Sequence, residues 1–344
     1  MRVHQILSGA GPYDAVTEQA RAFRKLFGAW GWGGRDVAAS IDPRLGNVIG
    51  PLASLQPAAQ DILLIHYSGY APRVRRALEF DNRKLLISHN ITPARWFWDH
   101  DPMAAVSCAL GRKQLPEFAA AVDVAAGVSL FNARELGSET VIPILFDPAD
   151  FGPPAAPNPP GPPTILFVGR VSPHKRQDAV IRAFALYRRR HAPAARLVLV
   201  GRGVNDTFEA AIRALADQLA PGAVTIEFGL SREQLAQRYR SAHAFLCMSE
   251  HEGFCIPLLE AFHFGVPVIA RAVGGVPEVA GDAALLLAAE DDERVAAELL
   301  ALAVGDEALR ATLRERGAAR VAAYAPEPVA RTLRATLESL GATG

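Results

Sequence analysis

Cysteine is scarce in this chain, and Cys108, Cys247 and Cys255 are too few and too scattered to read as a disulfide framework or a zinc site. Net charge is lacking too. The 36 Lys and Arg balance 36 Asp and Glu, and no basic run exceeds Arg188-Arg189-Arg190, a triplet that reads as the end of a solvated helix. That balance argues against nucleic-acid binding as the main role. No run of eighteen apolar residues occurs, and Met1 to Leu7 alternates like a first strand without the apolar core of a signal peptide. A soluble cytoplasmic enzyme is therefore expected, with a peripheral membrane contact left open. Lysine is rare as well: only four of the 36 basic residues are Lys. Where Arg is used almost everywhere, Lys175 in a loop marks a place for a compact ammonium.

What is present is apolar content, 50% of 344 residues, enough for two α/β domains. Residues 147–163 are dense in Pro and Gly and read as a semi-rigid linker on which two lobes hinge. The expected organisation is an N-terminal domain over 1–148, a linker over 149–163, a C-terminal domain over 164–325 and a last helix over 326–344. Before the linker, 61–66, 84–88, 122–128 and 140–145 read as short buried strands. After it, 164–168, 196–200, 224–228, 244–248 and 267–270 repeat the pattern. Strands alternating with helices predict α/β, with two Rossmann-like doubly wound parallel-sheet domains. The ligand is then expected between the lobes, outside the carboxyl ends of the strands.

Ser249-Glu-His-Glu-Gly-Phe-Cys-Ile-Pro-Leu-Leu-Glu-Ala-Phe-His-Phe-Gly265 is the most informative stretch. Pro257 suits the start of a helix and Gly265 its end. Gly253, Phe254 and Cys255 thus present backbone N–H groups ahead of a helix, where unpaired donors and the macrodipole favour an anion. Glu252 and Glu260 would repel a phosphate there unless they grip hydroxyls, which a sugar with a ribose offers. Compensating cations come from Arg170 and Lys175, five residues apart on a Pro-interrupted turn between a strand and the helix 177–190. Both can reach a diphosphate. On pattern alone, each of these four charges reads as readily as a solvated surface group. Cys255 has no adjacent base to make it a nucleophile.

At this point the chain resembles the retaining nucleotide-sugar glycosyltransferases of family four, which have the GT-B fold. The resemblance rests on Val168-Gly169-Arg170…Lys175, Leu199-Val200-Gly201-Arg202-Gly203, Glu233-Gln-Leu…Tyr239…Ala242, Ser249…Glu252-Gly253-Phe254…Pro257…Glu260-Ala261, Gly265-Val-Pro267, Gly274-Gly275-Val-Pro-Glu278 and Gly281-Asp282, in family order from Thr164 to about Leu287. The N-terminal half matches more loosely, through Ser88-His89-Asn90 and 128–136. The resemblance implies transfer of a hexose-type sugar from a nucleoside diphosphate donor to a glycan, lipid-linked or small-molecule acceptor, with no metal.

The resemblance also implies roles for named residues, as follows. Glu260 holds the ribose, and the backbone near Phe228, Gly229 and Leu230 holds the base. Arg170 and Lys175 stabilise the leaving diphosphate. Glu252 and the amides of Gly253, Phe254 and Cys255 position the donor sugar, and His89 closes over it, with a capping or structural histidine as the alternative. Gly11, in the turn after the first strand, is either a donor contact or part of a plain tight turn. His66-Tyr67-Ser68-Gly69 either lines the acceptor site or packs. Arg176 and His174 read as solvent-facing or peripheral. Asp99 and Asp101 imitate a metal-binding Asp-x-Asp, but before a helix starting near Pro102 they read as caps. A nucleotide-sugar epimerase, a glycan phosphorylase or a non-catalytic sugar-binding relic of the same architecture are the rivals.

Overall fold

The computed structural model describes residues 1–12, 14–154 and 159–341. Tyr13 of the first turn, residues 155–158 of the expected linker and residues 342–344 of the expected last helix lie outside the described residues. The chain forms two compact units: residues 1–95 and 102–145 with the segment from Pro326 onward, and residues 96–101 with 146–325.

The N-terminal unit contains β1 (Val3–Leu7), α1 (Ala15–Ala29), β2 (Asp36–Ala38), β3 (Gly50–Pro51), β4 (Ile62–Tyr67), β5 (Lys84–Ser88), α2 (Pro102–Ala120), β6 (Val124–Gly127) and α3 (Leu130–Arg134). Its six strands are parallel in the order β3-β2-β1-β4-β5-β6. Every residue of β1, β4 and β5 is buried, as a parallel sheet covered on both faces requires. Asp14 caps α1 by accepting the Thr17 N–H.

The C-terminal unit contains β7 (Thr164–Val168), α4 (Gln177–Arg190), β8 (Arg196–Val200), α5 (Asp206–Leu219), β9 (Val224–Glu227), α6 (Arg232–Arg240), β10 (Ala244–Cys247), α7 (Ile256–His263), β11 (Val268–Arg271), α8 (Val276–Ala280), β12 (Ala284–Leu287), α9 (Glu293–Gly305) and α10 (Glu307–Ala323). The last helix, α11 (Pro326–Gly341), belongs to the N-terminal unit. The C-terminal sheet is again parallel, in the order β12-β11-β10-β7-β8-β9. Helix α4 buries Val180, Ile181, Phe184 and Tyr187 in one core with Ile165, Phe167, Leu197 and Leu199. Truncating Phe184 to alanine there would cost about 3–5 kcal/mol in lost contacts and cavity.

Both sheets match the doubly wound expectation. One strand does not: 140–145 makes only an isolated bridge between Gly127 and Val141. Pro143 has no N–H, its carbonyl accepts from Gln19 Nε2 at 3.3 Å, and the Leu145 N–H donates to Gln19 Oε1 at 3.0 Å. A side chain of α1 therefore takes the bonds a neighbouring strand would need. The short strands β2, β3 and β12 carry too little pattern to have been read from the sequence. In each sheet the strand order reverses once, between β1 and β4 and between β7 and β10. Open α/β sheets take ligands outside the carboxyl ends of the strands at that point.

Candidate active site

In the C-terminal unit, the loops leaving β7 and β10 flank the reversal. The β7 loop turns once through Pro173–Lys175. Buried Gln177, the first residue of α4, braces this loop: its Nε2 donates to the Arg170 carbonyl at 2.9 Å and its Oε1 accepts the Ser172 N–H at 3.3 Å. The Arg170 side chain is exposed. Lys175 turns inward and donates to both Glu252 oxygens, Oε1 at 2.7 Å and Oε2 at 2.8 Å. Burial opposes its charge, but the Glu252 carboxylate and two neighbouring thiols outweigh that and hold the ammonium above its ordinary pKa. The clamp lysine and the sugar-side carboxylate, given separate tasks from the sequence, form one ion pair.

Glu252 is itself fixed by its backbone. Its carbonyl accepts the Gly275 N–H at 3.0 Å, and a Cβ on Gly274, at φ 54°, would sit 1.9 Å from that oxygen. The Gly274-Gly275 pair is therefore a seat for the Glu252 main chain. Beyond Glu252, the N–H groups of Phe254 and Cys255 have no acceptor among the described residues. Cys255 occupies the left-handed region at φ 74° and stands at the cap of α7. One turn into the helix, Glu260 Oε2 accepts from the Tyr239 hydroxyl at 2.5 Å. Burial raises the Glu260 pKa against that hydrogen bond, and burial with the adjacent carboxylate raises Tyr239 well above its usual value. Tyr239 was legible only as part of a motif; its α6 register, facing α7, is what makes it the Glu260 anchor. Gly229, at φ 69°, and Leu230 lie between β9 and α6, beside exposed Phe228.

In the N-terminal unit His89 follows β5, and a chain of hydrogen bonds fixes its protonation. Gln5 Nε2 donates to the Ala20 carbonyl and to Asp36 Oδ1, both at 2.8 Å, so its Oε1 must accept. It accepts from His66 Nε2 at 3.0 Å, which leaves His66 Nδ1 as the acceptor for His89 Nε2–H at 2.9 Å. His89 Nδ1 then carries a lone pair, buried and without a partner among the described residues. Burial holds His66 well below its ordinary pKa, with His89 adding to it, and burial pushes His89 down to about 3. Both rings are neutral, and His89 offers a hydrogen-bond acceptor rather than a cation. Asp36, at the far end, is held by Arg24 Nη2 at 2.6 Å.

Other expected residues fall differently. His66 and Tyr67 are fully buried and serve packing and the relay. The Gly11 N–H already donates to Thr17 Oγ1 at 3.1 Å, and a Cβ on Gly11 would meet nothing closer than 4.0 Å. It fits the plain tight turn. His174, expected towards solvent, is buried against Phe97, with ring centroids 5.6 Å apart, and burial drops its pKa to about 2. Arg176 pairs with Asp178 and Glu250. The metal-like Asp99 and Asp101 join no metal-competent cluster among the described residues. The cysteines contradict their scattering in sequence: Cys247 and Cys255 meet around Glu252, their ligand atoms all within 4.8 Å of one another.

Comparisons with known proteins agree with this geometry. Residues 152–320 match the family model for glycosyl transferases group 1. The chain is 34% identical over 188 residues to the D-inositol 3-phosphate glycosyltransferase of Nocardia farcinica, covering 53% of this chain and 41% of the relative. It is 36% identical over 118 residues to the GDP-mannose-dependent alpha-mannosyltransferase of Mycobacterium tuberculosis, covering 34% and 28%. The chain thus spans less than half the length of these curated relatives. Among solved structures it is similar to the sucrose-phosphate synthase of Thermosynechococcus elongatus, with TM-score 0.76 and 20% identity over 100% of both chains. Anabaena HepE in complex with UDP-glucose gives TM-score 0.73 and 16% identity over 98% of this chain and 99% of that one. The fold is GT-B, and residues 152–320 form a group 1 glycosyl transferase domain.

Proposed function

We propose that this glycosyl transferase transfers a hexose-type sugar from a nucleoside diphosphate donor to an acceptor hydroxyl with retention of configuration. The observation that carries the reading is the partly buried Lys175–Glu252 pair at the carboxyl ends of β7 and β10, beside the open N–H groups of Phe254 and Cys255. An anionic diphosphate arriving at those N–H groups and at Arg170 shares the Lys175 ammonium, and this preorganised charge stabilises the leaving group. The carboxylate of Glu252 orients the sugar hydroxyls, and Glu260, steadied by Tyr239, takes the ribose. The chain near Gly229 and Leu230 takes the base. Neutral His89 accepts from a sugar hydroxyl.

Double displacement would need a carboxylate about 3 Å from the anomeric carbon on the face away from the diphosphate. Glu252 is tied to Lys175 on the donor-holding side. Attack therefore proceeds from the departing face, with a diphosphate oxygen taking the acceptor proton. Side chains supply the cations, so the reaction needs no metal. We place it in the cytoplasm, where free thiols stay reduced.

The test is incubation with nucleotide sugars, GDP-mannose and UDP-glucose first because one relative and one similar structure carry those names, and a panel of hydroxylic acceptors. The expected result is nucleoside diphosphate release and an α-linked product by NMR from an α-linked donor. A β-linked product, or one sugar's mass on Glu252 after rapid quench, overturns the mechanism. Donor consumption without an acceptor points to the epimerase instead.

A further inference from the structure

Two thiols and a carboxylate meet beneath the candidate site, and the transfer reading gives the thiols no task. Cys247 ends β10 and Cys255 caps α7, so rigid elements hold both. Cys247, Glu252 and Cys255 are 2%, 5% and 7% exposed, and one ligand atom from each lies within 4.8 Å of the others. Ser249 Oγ is 3.2 Å from Cys247 Sγ, a further hydrogen-bonding group on the same loop. Cys255 keeps its side chain at φ 74°, a conformation that penalises any Cβ. A residue held in such a region is a place to look for a task.

We propose that Cys247, Glu252 and Cys255 bind one thiophilic divalent cation, and that its binding shuts the transfer site. The charge count supports it. Two thiolates and one carboxylate are balanced by one divalent cation and the Lys175 ammonium, so the occupied cluster is neutral, as burial demands. Thiolate ligands favour zinc or cadmium over the harder magnesium and manganese. Binding releases the thiol protons to solvent as the metal–sulfur bonds form. Once the cation holds Glu252, that carboxylate no longer orients Lys175 or a sugar hydroxyl, and transfer stops. The inhibition rests on the transfer reading; the binding does not.

The test is titration of the purified full chain with cadmium, followed by the sulfur-to-metal charge-transfer absorption in the ultraviolet. One equivalent should raise the band in the native protein and in Cys108→Ser. Affinity should fall by roughly 100-fold in Cys247→Ser and in Glu252→Gln, since each removes one ligand. Absence of the band from the native protein, or equal affinity in folded Cys247→Ser, overturns the site. Glu252→Gln decides the matter should Cys247→Ser misfold, because unchanged affinity there also overturns it. Where transfer is measurable, one equivalent of cadmium should abolish it in the native protein and spare Cys247→Ser. A band with no transfer under any condition leaves the cation site standing and fails the transfer reading, whereas transfer untouched by a bound equivalent overturns the shutting.

Discussion

Counted from its first strand, the C-terminal sheet has the same order as the N-terminal one, since β12-β11-β10-β7-β8-β9 read from the other edge repeats β3-β2-β1-β4-β5-β6. The chemistry around the two reversals is nevertheless opposite in character. At the ends of β4 and β5 the rings of His66 and His89 are tied to the Gln5 amide, and His89 Nδ1 and Ser88 Oγ are left without partners among the described residues. Beyond β7 and β10 stand ions, Lys175 against Glu252, with Arg170 exposed alongside. One scaffold, built twice, thus carries a hydrogen-bonding face in one unit and an ionic face in the other. Sheet order sets where a site lies, and the loop residues decide what it does.

The largest expected effect on that comparison comes from acid. His66 and His89 are neutral when folded and bind protons when unfolded below about pH 6.5, the ordinary histidine value. Stability is therefore lost as pH falls, by about 1.4 kcal/mol per pH unit for each, until the folded group titrates. The N-terminal unit carries two such rings, so it should weaken as pH falls from about 6 to 4, by roughly 3 kcal/mol from His89 and further from His66. In the C-terminal unit burial lowers His174 to about 2 and also lowers half-buried His243, and His251 is buried as well. Hydrogen exchange read by mass spectrometry should show β1, β4 and β5 opening before β7, β8 and β10. The reverse order would break the contrast.

Next in size is Lys175→Ala, which should lower turnover by roughly two to three orders of magnitude while donor affinity changes less. Native turnover in a folded variant would remove Lys175 from the chemistry. Glu260→Ala should weaken free nucleoside diphosphate by about 1.5–3 kcal/mol through loss of a charged hydrogen bond. Tyr239→Phe should weaken it by roughly 1 kcal/mol, because only the carboxylate's orientation is released. Calorimetry with both variants checks the pair, and a Tyr239 effect larger than that of Glu260 would reverse their roles. Smallest is Gln5→Leu, which frees His66 to exchange tautomers. Nitrogen NMR should show the His89 ring passing from one tautomer to a mixture, and turnover should fall by about threefold, an effect of about 0.6 kcal/mol. Unchanged ring spectra would show that Gln5 does not set the proton.

The loop into α7 was legible because its residues are consecutive and punctuated: Glu252 to Glu260 spells a carboxylate, a loop, a Pro-led helix start and a second carboxylate on the first turns. The core strands were legible for the same reason, being unbroken apolar runs. What stayed hidden depends on partners distant in sequence. Gln5, Asp36, His66 and His89 come together only through β1–β2, β1–β4 and β4–β5 register, and no spacing announces it. The Lys175–Glu252 bond spans 77 positions. Residues 140–145 looked like a strand because their apolar pattern is visible and the competing Gln19 amide is not. Cys247 and Cys255 were judged by their distance along the chain, and a strand end folding back to a helix cap removed it.

The path of the chain through the two units has a consequence for synthesis. Helix α11 buries Val329, Leu333, Leu337 and Leu340 in the N-terminal unit, and Arg334 lies over Trp30 at 5.5 Å and Trp32 at 5.8 Å. On a ribosome these residues emerge after the entire C-terminal unit. The part of the chain made first must therefore wait with its β4 flank uncovered until the last helix arrives, while the later unit already holds all its strands. Translation order and completion order are inverted, and Trp30 and Trp32 lack the Arg334 guanidinium over their rings in that interval.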